Sequence, residues 1–209
     1  ETAEKVLQQT DLPKKLAFNG ILTIIPTFQD GVLSFDVDSL SQQSFGRILR
    51  DVTTRHKLID QPFYLGGYSI GGSCILKYAE ESDIKPNAVF AIDPPIDFKQ
   101  MYNSSKRNLR LSFNTESNGE SVFLLKKIKE IMNAIKKLLK VPLRIYTEPD
   151  IHWWMKERGM DYTSMNSTLH SAMINELNRL GNRNAKLIVT VNKGYRKPDN
   201  RRHPHSWSI

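Results

Sequence analysis

One cysteine, Cys74, stands among 209 residues, so no disulfide can form within the chain and its fold does not rely on an oxidising compartment. Long apolar runs are missing too: stretches such as Gly20 to Pro26 and Leu187 to Val191 fall far short of the roughly 18 residues that suggest a membrane span. No internal repeat or low-complexity tract occurs, which excludes solenoids and fibrous arrays. The basic residues are scattered, without zinc-finger, helix-turn-helix or ribonucleoprotein signatures, so nucleic acid is not an expected partner. His203 and His205 lack an evident third ligand, so neither a metal nor another cofactor is expected.

What is present is ordinary for a globular chain: 39% hydrophobic, 25% charged, 11 Gly and 10 Pro. A length of 209 residues suits one domain over 1–209. The 30 basic and 22 acidic residues leave a net charge of +8, which favours anionic surroundings without naming one. The chain opens on Glu1 and stops at Ile209 within what reads as a site loop, so the expectation is a fragment with unnatural ends, in which a signal peptide would be invisible.

Five β-branched or aromatic runs are bounded by Gly, Pro or Asn: Ile21 to Ile25, Phe63 to Leu65, Ala88 to Ile92, Leu143 to Tyr146 and Leu187 to Val191. Their apolar character throughout, rather than in alternation, suits parallel strands covered on both faces. Between them, Ser44 to His56, Ser73 to Glu81, Ser121 to Lys140 and Ser167 to Leu180 predict helices, the last capped by Ser167 and stopped at Gly181. Glu1 to Gln9 is also helix-like. Strand alternating with helix predicts an α/β fold, a mostly parallel sheet with helices on both faces and a ligand site at the carboxyl ends of the strands.

At one such end lies Gly66-Gly67-Tyr68-Ser69-Ile70-Gly71-Gly72, which contains G-x-S-x-G at Gly67, Ser69 and Gly71. A sharp strand-to-helix turn would hold the serine in strained geometry with its hydroxyl exposed, and a Cβ at either flanking glycine is expected to collide. A chain of this length carries the bare pattern by chance roughly one time in fifteen, so its place between a strand and a helix is what gives it meaning. The structural alternative is a glycine-rich turn whose serine merely caps the helix.

With these features the chain resembles the α/β-hydrolase family over nearly its whole length, its strand-like runs matching strands four to eight in turn. The resemblance implies a serine hydrolase that cleaves a small-molecule carboxylic ester, or less readily an amide, through an acyl-enzyme on Ser69. It implies the chain order nucleophile, acid, base. The acid it points to is Asp150, with Glu148 as runner-up; Asp93 or Asp97 remains open because some members place the acid after strand six. For the base, the ending His203-Pro204-His205-Ser206-Trp207 resembles the family's histidine loop, with His205 preferred to His203. His56 and His170 read as surface or packing residues, and His152 as poorly placed to bridge acid and serine.

The backbone N–H of Ile70 would supply one oxyanion donor. The second normally follows strand three, and strands one to three have no counterpart here. Residues 97–120 fall where the family inserts a lid, and the basic amphipathic stretch 122–139 reads as a helix on its own sheet rather than a membrane-surface helix. Trp153-Trp154 suits a pocket wall and core packing equally. The competing reading is a hydrolase-like binding protein without turnover; a third, weaker one is an anion-binding surface protein.

Overall fold

Extended, apolar segments become strands only where a neighbour completes their backbone hydrogen bonds, and four of the five expected runs find one. The structure, a computed structural model, describes residues 3–27, 37, 39–96, 136–159, 165–196 and 199–205. In chain order the elements are α1 (Ala3–Gln9), α2 (Leu12–Phe18), α3 (Ser39–Arg55), β1 (Tyr64–Tyr68), α4 (Ile70–Glu81), β2 (Ala88–Ile92), β3 (Leu143–Thr147), α5 (Ile151–Arg158), α6 (Asn166–Arg179) and β4 (Ala185–Val189). The sheet is parallel throughout, in the order β1-β2-β3-β4, with Gly67 beside Ala91, Ala91 beside Ile145 and Ile145 beside Leu187.

This register puts Leu65, Val89, Ala91, Leu143, Ile145 and Ala185 on one face, where they pack with Ile75, Leu76 and Ala79 of α4 and Ile174 and Leu177 of α6. Helix α4 covers β1 and β2, and α6 covers β3 and β4. Ile145, Leu177 and Ala79 are fully enclosed; burying a side chain the size of Ile145 or Leu177 stabilises by about 1.5–3 kcal/mol.

Coverage of both sheet faces is not what the described residues show. On the other face Tyr64, Arg144 and Lys186 are exposed, and the Phe90 ring lies across Gly66. The two described helices that follow strands in the sheet, α4 and α6, both pack on the face of Leu65, Ala91 and Ile145. Ile21 to Ile25 also departs from expectation. It forms no strand, and Ile21, Leu22 and Ile24 are each more than two-fifths exposed. Its composition favours extension, but composition does not supply a partner: among the described residues this segment pairs with no strand, and the outer edge of β1 stays unpaired.

The last helix starts at Asn166 with Met165 in the capping position, so the expected cap Ser167 sits inside its first turn. Residues 97–120 and most of the basic stretch 122–139 lie outside the described residues. Among the described residues no helix is long and apolar enough to cross a membrane.

Candidate active site

The ends of two adjacent strands and the loop after β4 bring three side chains together. The β1–β2 pairing continues one residue further, where the Ser69 N–H donates to the Ile92 carbonyl at 2.9 Å, and the chain then turns at once into α4. That turn puts Ser69 at φ 52°, left-handed geometry that costs a non-glycine residue of order 1–3 kcal/mol. Asp93 ends β2 in the same way: its N–H donates to the Tyr146 carbonyl at 2.8 Å and its φ is 44°.

The flanking glycines divide unequally. A Cβ on Gly67 would lie 2.4 Å from the Gly71 carbonyl oxygen, and one on Gly72 would lie 2.9 Å from Pro94 Cβ. A Cβ on Gly71 would meet nothing within 4 Å. The collision expected at both glycines of the motif therefore holds at Gly67 only, because Gly71 points away from the turn while Gly72 faces the β2 end.

His205 joins the two strained residues. Its Nε2 lies 2.9 Å from Ser69 Oγ and its Nδ1 lies 2.5 Å from Asp93 Oδ2. Because a carboxylate only accepts, Nδ1 carries the proton and Nε2 presents its lone pair to the serine hydroxyl. The ring packs against Tyr68 and, edge-on, against the buried Trp154. Asp93 is 1% exposed and also accepts from Thr147 Oγ1 at 3.3 Å and Asn166 Nδ2 at 3.4 Å.

Asp150, the carboxylate expected to stand against the imidazole, is engaged elsewhere. It caps α5, accepting from the Trp153 N–H at 3.0 Å, and pairs with Arg202 at 2.9 Å. Partial burial would raise its pKa, but the Trp153 amide and the Arg202 guanidinium outweigh that and hold the carboxyl below its ordinary range. The runner-up Glu148 is buried and also bound to the Arg202 guanidinium. The carboxylate that meets the imidazole is thus not Asp150 or Glu148 but Asp93, one of the alternatives left open, whose strand lies next to the serine's. Asp97 lies outside the described residues.

Two further histidines border the site: His170, expected to be a surface or packing residue, and His203, the alternative to His205 as base. His170 is fully buried, its Nε2–H donating to the Pro94 carbonyl at 2.7 Å and its Nδ1 lying 4.0 Å from Asp93 Oδ1. With Ser73 Oγ, which donates to the Pro95 carbonyl at 2.6 Å, it fastens the segment after β2. An apolar-faced helix leaves no sequence signal that its histidine lies under a carboxylate. His203 accepts from Arg158 Nη2 at 3.3 Å and stacks edge-on against Trp153, while the imidazole on Ser69 is that of His205.

Burial lowers the pKa of both rings; for His203, reinforced by the neighbouring His205 and Arg158, it falls from 6.5 to about 4. An unfolded chain binds protons at these rings below about pH 6.5 that the folded chain refuses, so their contribution is complete above that pH and is lost as pH falls below it, for His203 down to about 4. The urea midpoint is therefore expected to drop between pH 7 and pH 5, above the range where carboxylates titrate. A midpoint that holds or rises would show that the rings are not kept neutral.

Ile70 occupies the first helical position of α4, where backbone N–H groups have no partner within the helix and the helix dipole favours negative charge. A cleft of about 500 Å³ lined by Gln42, Gly46, Arg50, Tyr78 and Ser82 lies at the opposite end of α4 and takes no part in this arrangement. Among the described residues no group of three or more His, Cys, Asp or Glu side chains is arranged to hold a metal ion. Comparison of the chain with protein-family models, with curated proteins and with solved structures finds no match.

Proposed function

We propose that this chain carries the catalytic apparatus of an α/β-hydrolase-type serine hydrolase acting on a small-molecule carboxylic ester. The observation that supports this most is the continuous relay from Ser69 Oγ through His205 to Asp93, joined across 136 and 112 residues of sequence and built on two strained backbone positions. A serine that only capped its helix would not need an imidazole on its hydroxyl. Ser69 makes no side-chain cap bond to α4.

In this reading His205 Nε2 takes the hydroxyl proton as Ser69 Oγ attacks the ester carbonyl carbon. Asp93 holds the ring in the required tautomer and stabilises the imidazolium. The Ile70 N–H donates to the oxyanion of the tetrahedral intermediate. His205 then protonates the departing alkoxide, and water repeats the sequence on the acyl-enzyme to release the acid and restore Ser69.

A fluorophosphonate probe is expected to form a covalent adduct on Ser69, identified by peptide mass mapping. Folded protein with no adduct would overturn the proposal and favour a binding protein of the same architecture.

A further inference from the structure

We infer that Glu148 is a positioning residue for His205, acting through Arg202 as the clamp on the loop that carries the base. The inference rests on the hydrolase reading, in which His205 must meet Ser69 at a fixed distance. Glu148 follows β3 directly, is 2% exposed, and its carboxylate is bonded to Thr190, Lys193, Gly194 and Arg202 rather than to the serine or the imidazole. A carboxylate so enclosed persists only where its charge is met by donors.

Those donors all come from the loop. Oε2 accepts from the Lys193 N–H at 2.8 Å, the Gly194 N–H at 2.9 Å and Thr190 Oγ1 at 3.2 Å, while Oε1 pairs with the Arg202 guanidinium. The departing limb, 190–194, and the returning limb at Arg202 are thus fastened to one buried group. Arg202 also donates to the Gly194 carbonyl at 3.1 Å and to Asp150 at 2.9 Å, and the His203 N–H donates to the same Gly194 carbonyl at 2.8 Å. Gly194 lets the limbs touch, since a Cβ there would lie 2.4 Å from Pro204 Cα. His205 follows directly, so freeing this clamp moves the base. A misplacement of about 1 Å costs on the order of a hundredfold in rate.

The test is Glu148→Gln, measured in wild-type and His205→Ala backgrounds by the rate of fluorophosphonate labelling. Proton NMR separately follows the downfield His205 Nδ1–H that bonds Asp93. The expected result is a slowing of about 10- to 100-fold where His205 is present, less than about twofold where it is absent, and loss of the downfield proton. Arg202→Lys, which keeps the charge but not the fork, is expected to act in the same direction and serves if Glu148→Gln does not fold. Labelling at the wild-type rate, equal slowing in both backgrounds, or an unchanged Nδ1–H would overturn the inference. If the folded wild type takes no label, the hydrolase reading fails by itself and the imidazole proton decides: its loss in the variant sustains the clamp, and its persistence, or its absence from wild type, ends it.

Discussion

Replacing Asp93 by asparagine is expected to slow ester hydrolysis by about 10⁴-fold, whereas Asp150→Asn changes it by less than about tenfold. The contrast follows from which carboxylate faces the imidazole. His205 Nδ1 lies 2.5 Å from Asp93, and Asp150 is turned to α5 and Arg202. A neutral amide at position 93 cannot stabilise the imidazolium that forms as Ser69 loses its proton. In one orientation it also donates to Nδ1, placing the ring proton on Nε2 against the serine hydroxyl. The amide at position 150 still accepts from the Trp153 N–H and loses only a part-exposed ion pair, worth about 1 kcal/mol or less. Steady-state hydrolysis of a nitrophenyl ester by both variants, with thermal melts to show that each folds, makes the comparison. The reverse order of effects would remove Asp93 from the mechanism.

Gly67→Ala is expected to destabilise the protein by roughly 3 kcal/mol or more, and Gly71→Ala to leave it unchanged or more stable by up to about 1 kcal/mol. At Gly67 the added methyl meets only backbone, the Gly71 carbonyl carbon and oxygen and the Gly72 nitrogen, all within 2.6 Å. No rotamer can relieve such a contact, so β1 and α4 must separate and carry Ser69 with them. At Gly71, inside the first turn of α4, the methyl enters open space and removes the entropic cost of a helical glycine. Urea denaturation of the two variants reads the difference; similar midpoints would show that the turn yields to a methyl at position 67.

Much of the framework is legible in local chemistry. The runs at Ala88–Ile92 and Leu143–Thr147 combine β-branched and aromatic residues with flanking Pro or Asn, and both are strands. Ser69 is marked by glycines whose spacing suits a strand-to-helix turn. The run at Ile21 to Ile25 carries the same composition and forms no strand, because pairing depends on a neighbour that composition does not supply.

The two carboxylates show the same division. Asp93 and Asp150 each follow a strand, and nothing within several residues of either distinguishes a carboxylate facing an imidazole from one capping a helix. Residue identity, by itself, determined the alternation of strand and helix, the glycine-flanked serine and the presence of a late histidine. Tertiary structure alone decided the partner of that histidine, the burial of His170 beneath Asp93 and the clamp at Glu148. Each of these is a contact across tens of residues, set by how neighbouring strand ends converge rather than by any local preference of the chain.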